Sequence, residues 1–295
     1  MKGGTFTINQ LMNFFNIFTK NQHYKTMPFE NIEILDKQYY LYNNRFHVYI
    51  LFNPPPPEIT DSFLRSKKFR EEMKSVRIVA IHRGSMSPTG FRTRKHKGIM
   101  DNISRVLGSI KDWSNNIRNT LTYKLDKTPK TYRQERSKKG HEALTEYLTK
   151  LLKTNIQTII QSKESKNRKY MKLLLYSCLK KYKSVSAFLK NRLSTLGFSQ
   201  GAIYAYLYGD EGKETIVYNP APFRGVKPPN TFILRTKNDI VSYFVNNYGV
   251  PTTIKHTDYL FNFPKNHSND ILLGDYEKIG TGLFTRDTKK VARIR

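Results

Sequence analysis

Four cations crowd into the stretch PTGFRTRKHKG (88–98): Arg92, Arg94, Lys95 and Lys97. Guanidinium and ammonium groups at such short spacing suit phosphate oxygens, whose neutralisation releases condensed counterions. A second set closes the chain in EKIGTGLFTRDTKKVARIR. Lys278 precedes Gly280, Thr281 and Gly282, and Arg286, Lys289, Lys290, Arg293 and Arg295 follow, with Asp287 the one acid after the glycines. A glycine pair lacks the Cβ atoms that hold a backbone away from another surface. Lys237, just ahead of a predicted helix start, completes the set of candidate RNA-binding residues.

The whole chain shares this bias. Its 295 residues carry 51 Lys+Arg against 23 Asp+Glu, a formal net charge of +28. So large an excess repels itself in a compact protein and calls for a polyanion. No apolar run approaches the roughly 18 residues of a membrane span, which leaves nucleic acid as the expected partner. Cys178 is the one cysteine, so a disulfide within the chain and a Cys-based zinc site are excluded. Within KLLLYSCL it reads as a small buried hydrophobe. The seven histidines are scattered, and His82 and His96 are read as part of the basic loop. The chain is read as holding no P-loop, no G-x-S-x-G elbow and no H-E-x-x-H helix, and Asp210, Glu211 and Glu214 as a turn between strands. The expectation is therefore a non-enzymatic protein with no cofactor, no metal and no small-molecule substrate.

The elements that carry these residues follow from periodicity and breakers. Residues 1–37 read as an N-terminal extension. KQYYLYNNRFHVYIL (38–52) has apolar, aromatic arms about an Asn pair, a hairpin pattern, and NPPPPE (53–58) is a rigid spacer. FLRSKKFREEMK (63–74) predicts a short charged helix and SVRIVAIHR (75–83) a strand. The basic loop at 84–98 follows, then a helix over 98–121 on the spacing of Ile99, Ile103, Val106, Leu107 and Ile110. Residues 124–140 read as a linker. HEALTEYLTKLLKTNIQTIIQ (141–161) gives the strongest helical stripe, with Glu142 and Glu146 expected in its first turns. Beyond 165, KYMKLLLYSCL, SVSAFLKNRLSTLGF, AIYAYLYG and TFILRT are expected as strands, and NDIVSYFVNNYG (238–249) as a helix. The predicted class is α+β: a first domain at 38–140, a connecting helix at 141–164, and a second domain at 165–295 with a basic tail.

Four stretches, taken in order, resemble the ribosomal protein L6 family of the large subunit, in a divergent mitochondrial form. They are the helix around 143–160; the pair ending in Leu196, Gly197, Phe198 and Ser199, with Gln200 at the family's histidine; the strand and helix start bearing Thr231, Ile233, Asn238, Asp239, Val241 and Phe244; and Gly280 and Gly282, with Thr281 at the family's lysine. The segment 250–276 is an insertion against that pattern. The resemblance implies two small α+β domains, contact with large-subunit ribosomal RNA beside the factor-binding side, and neighbouring ribosomal proteins as partners. It also implies a mitochondrial matrix location. The absence of an Arg-rich presequence suggests an organelle-encoded chain. A virion protein that packages nucleic acid, or a nucleic-acid-processing enzyme, is the alternative expectation.

Overall fold

The computed structural model describes residues 32–34, 46–82, 84, 132–221, 230–236, 239 and 252–255. Among them runs one mixed sheet of seven strands, in spatial order identical to chain order. β1 (Ile32–Ile34) and β2 (Phe46–Leu51) pair antiparallel, as do β2 and β3 (Arg77–His82). From β3 onward the pairing is parallel, through β4 (Leu193–Phe198), β5 (Glu214–Tyr218), β6 (Thr231–Thr236) and β7 (Thr252–Lys255). Helices with a mixed sheet agree with the expected α+β class. The parallel β3–β4 ladder joins strands from the segments 38–140 and 165–295 in that single sheet.

The helices before β4 are α1 (Asp61–Arg65), α2 (Lys67–Ser75), α3 (Tyr132–Lys153), α4 (Ile156–Gln161), α5 (Lys166–Leu179) and α6 (Val185–Arg192). One cluster packs Val48, Ile50, Ile78 and Ala80 of the sheet against Leu144, Leu148, Leu173, Leu174 and Phe188 of the helices. Ile81, Leu196, Ile216 and Tyr218, on the opposite face by alternation, are buried as well. Burial on both faces fits the parallel pairing of β3, β4 and β5.

The charged helix expected at 63–74 is two helices, broken where Ser66 caps α2, with Thr60 capping α1; the strand expected at 75–83 is present as β3. The 141–161 helix breaks where Asn155 caps α4, its side chain accepting from Gln157 N at 2.9 Å. Its N-terminal part begins earlier than expected: 132–140 is helix, not linker. Glu142 and Glu146 therefore lie mid-helix, 3.6 and 2.7 Å from Lys138 and Lys150. Three expected strands are corrected. KYMKLLLYSCL lies in α5, and its apolar run reflects a helix buried on most sides, with Tyr170, Leu173 and Leu174 at 0% exposure. The first half of SVSAFLKNRLSTLGF is α6, capped by Ser184, and only Leu193–Phe198 is strand. AIYAYLYG is helix α7 (Gly201–Tyr208), every residue of which is buried, so it carries no polar stripe to betray its period.

The β2 arm of the 38–52 hairpin is present, paired with β1 on one side and β3 on the other. Its other arm and the predicted helices at 98–121 and 238–249 lie outside the described residues.

Candidate active site

β4 ends at Phe198, Ser199 follows with φ of 53°, and α7 starts at Gly201. Strand, one left-handed residue and helix thus meet in a reversal of two residues. The other non-glycine residues with positive φ among those described are Asn219 and Asn230, a type that tolerates this region. A serine there is strained, and such outliers concentrate at functional sites. The turn is pinned from three sides. Ser199 N donates to Tyr218 O at 3.0 Å, while Ser199 O accepts from Ala202 N at 3.1 Å and Ala221 N at 3.0 Å.

Glycine is required on the strand side. A Cβ at Gly197 would stand 2.6 Å from Ala202 Cα and 2.7 Å from Gly201 O, so a side chain would push α7 off β4. With Gly201 opening the helix, residues 197–201 spell Gly-Phe-Ser-Gln-Gly, the G-x-S-x-G pattern of a nucleophile elbow. The expectation of no such motif is corrected here. The five residues had been absorbed into a strand pair, whereas the glycine–serine–glycine spacing was a signal able to reveal them.

β3 brings a second backbone to the same point. Just past its end, a Cβ on Gly84 would lie 2.8 Å from both Phe198 O and Ser199 Cβ. In an elbow of this kind, the N–H after the serine and one from the neighbouring β3 loop stabilise the oxyanion. Gln200 follows the serine, and the backbone of Gly84 lies against it. Ser199 itself is 5% exposed.

The parallel register carries further residues to this edge. His82, Gly197, Val217, Ile233 and Thr252 pair across five adjacent strands, so the chain leaves β3 to β7 on one side of the sheet. Asp239 follows β6 by three residues and is 1% exposed. His256 follows β7 directly, and His267 is the one further histidine beyond it. The conformations of both histidines lie outside the described residues.

Beside the elbow sits a second titratable pair. His82, expected in the basic loop, is the last residue of β3 and is 1% exposed. Its Nε2 lies 3.3 Å from Nε2 of His141 on α3. Phe46 and Tyr208 flank His141, Tyr204 lies beside His82, and Glu211 Oε2 is 3.8 Å from His141 Nδ1. Burial, with His141 adding to it, holds His82 well below the usual imidazole range. Burial takes His141 down to about 3. Both rings are therefore neutral, one donating to the other. Glu211 favours the proton on His141 Nδ1, which makes His82 the donor.

Arg92, Arg94, Lys95, Lys97, Lys237, Lys278, Gly280, Thr281, Gly282, Arg286, Lys289, Lys290, Arg293 and Arg295 all lie outside the described residues. Glu211 follows α7 in a short 3-10 turn, and Glu214 is a buried strand residue accepting from Ser194 Oγ at 2.8 Å. The acids thus connect a helix to a strand instead of two strands. Among the described residues no helix is long and apolar enough to cross a membrane.

Comparison with protein-family models, curated proteins and solved structures returns no match to this chain.

Proposed function

We propose that the protein is a serine hydrolase acting on a carboxylic ester or related acyl compound, with Ser199 as nucleophile. The observation that carries this reading is Ser199 itself: a left-handed serine in a G-x-S-x-G pentapeptide between a parallel strand and a helix. Asp239 is the proposed acid. Its position past β6, with two histidines after it, matches the chain order Ser, Asp, His found where this elbow sits on an α/β sheet. In the proposed reaction one of His256 and His267 takes the proton from Ser199 Oγ as the oxygen attacks the acyl carbon. The backbone N–H groups of Gln200 and Gly84 stabilise the oxyanion, the alcohol leaves with the proton, and water then releases the acid.

The test is covalent labelling of the full chain by a fluorophosphonate, mapped by mass spectrometry, beside hydrolysis of p-nitrophenyl esters of several acyl lengths. Label on Ser199, with label and turnover both lost in Ser199→Ala at unchanged circular dichroism, is the expected result. A wild-type chain that is neither labelled nor active, or a variant labelled equally well, would overturn the reading.

A second reading rests on a separate observation, the net charge of +28. On it the protein binds large-subunit ribosomal RNA through the cations at 92–97 and 286–295. Co-sedimentation with large ribosomal subunits through a moderate-salt wash would support it, independently of any labelling at Ser199.

A further inference from the structure

The opposite end of the parallel sheet holds a charge arrangement that the chemistry at Ser199 does not use. Arg77 opens β3, Arg192 ends α6 immediately before β4, and Lys213 immediately precedes β5. The register pairs Ile78 with Leu193 and Ser194 with Glu214, which brings the three cations to neighbouring positions on one edge.

Two contacts draw the guanidinium groups together. Arg77 Nη1 donates to Lys74 O at 2.8 Å and to Val76 O at 2.9 Å. Arg192 Nη1 donates to the same two carbonyls, at 2.7 and 3.3 Å, and its Nε to Tyr182 Oη at 3.3 Å. The carbonyls belong to the C-terminal end of α2, where the helix dipole favours cations. Lys213 is fixed from its backbone, its N donating to Leu193 O at 2.7 Å. Gly212 permits that approach, because a Cβ there would stand 2.7 Å from the same oxygen.

Among the described residues the cluster lacks matching negative charge. Glu214 is the carboxylate beside it, and one of its oxygens accepts from Ser194 Oγ. Among the described residues none of Arg77, Arg192 and Lys213 is ion-paired, and Arg77 Nε is a buried donor with no acceptor. Three cations and one carboxylate leave a surplus of two positive charges. The cations also oppose one another: burial first, then Arg192, lowers the pKa of Arg77, and burial followed by Arg77 lowers that of Lys213. All three residues are half-buried, so water screens them incompletely.

We propose that Arg77, Arg192 and Lys213 form a binding site for a phosphate dianion, free or as the terminus of a small monoester. The contacts above leave Nε and Nη2 of Arg77 and Nη2 of Arg192 for phosphate oxygens, and Lys213 adds a point charge. A dianion cancels the surplus of two and supplies the acceptor that Arg77 Nε lacks. The site stands apart from the serine chemistry and does not depend on it.

The test titrates the full chain with inorganic phosphate at constant ionic strength, read by 31P line broadening and by thermal shift. A parallel arm uses phenyl phosphate to separate free phosphate from a monoester. Saturable binding is expected, weakened about tenfold in Lys213→Met by loss of one charge-assisted contact. Arg192→Lys keeps the charge but loses the Nη2 donor and the guanidinium's anchoring to the two carbonyls, and should also bind more weakly. Ser199→Ala should bind phosphate like wild type. Lys213 makes no side-chain hydrogen bond among the described residues, so its variant decides the matter even if arginine variants fold poorly. Unsaturable broadening in wild type, or wild-type affinity in both Lys213→Met and Arg192→Lys, would overturn the site.

Discussion

At the scale of the residue, Asp239 and the two C-terminal histidines divide the proposed catalytic work in a way that kinetics can separate. Asp239→Asn removes the group that orients the imidazole and stabilises its charged form, and the expected loss in kcat is about 10^3- to 10^4-fold. KM should change little, because the acid does not touch the substrate. His256→Ala and His267→Ala should differ sharply: the base's variant loses activity on the scale of Ser199→Ala, and the other stays near wild type. Steady-state kinetics on one ester, with circular dichroism as the folding control, reads all four variants. Equal and slight effects from both histidines would leave Ser199 without a base in this stretch.

The His82–His141 pair also belongs to this scale and has a sign that can be worked out. Both histidines titrate lower in the folded protein than in the unfolded chain. Below about pH 6.5 the unfolded chain therefore binds protons that the folded one refuses. The stabilisation is complete above that pH and is lost as the pH falls toward about 3, the value for His141. The slope is about 1.4 kcal/mol per pH unit for each histidine titrating only in the unfolded state. Urea midpoints measured from pH 7 to 4 should fall more steeply in wild type than in His141→Phe. Parallel curves would show that the pair does not govern acid stability. Glu211, beside His141 Nδ1, contributes in the opposite sense and should be removed in a control, Glu211→Gln.

At the scale of the element, the approach of α7 to β4 leaves no room for a side chain at Gly197. Gly197→Ala places a methyl group against Ala202 Cα and Gly201 O, which are backbone and cannot swing aside. The expected cost is about 1–3 kcal/mol by analogy with overpacked cores. Activity should fall further than stability, because the displaced helix carries the N–H of Gln200. Chemical denaturation and ester hydrolysis measured on one preparation check both halves. Leu148→Ala on α3 acts differently. Leu148 is 0% exposed within the main core, and its truncation should cost about 2–5 kcal/mol while leaving Ser199 reactive to a fluorophosphonate.

At the scale of the whole molecule, the net charge of +28 sets how the protein meets polyanions, whatever happens at Ser199. Affinity for RNA should fall steeply with salt, since each neutralised phosphate releases counterions. Filter binding of a non-specific RNA across salt concentrations measures the slope, and a flat response would detach the charge from nucleic acid. Replacing Arg92, Arg94, Lys95 and Lys97 by alanine should lower the affinity with ester hydrolysis unchanged.

Local chemistry made some of this molecule legible from the chain alone. Charge is additive over residues, so the basic excess needed no structure. The charged stretch at 63–74 and the apolar Ile78–Ile81 announce their elements within a few residues, and α2 and β3 follow directly. The burial of Cys178 was readable from its apolar neighbours in the same way. A helix buried on most or all sides has no polar face, so α5 and α7 carry no period by which to distinguish them from strands. The parallel pairing of β3 with β4 joins residues more than a hundred positions apart, and no local pattern encodes such a ladder. The pentapeptide at 197–201 was present in the letters, but five letters acquire chemical meaning only with a strand before the serine and a helix after it. Tertiary structure supplied that context: it turned Ser199 into a left-handed residue, set Gly84 against it, and carried Asp239 to the same edge of the sheet. It likewise brought Arg77, Arg192 and Lys213 together, because register, which arises from packing across the whole sheet, decides which strand ends become neighbours.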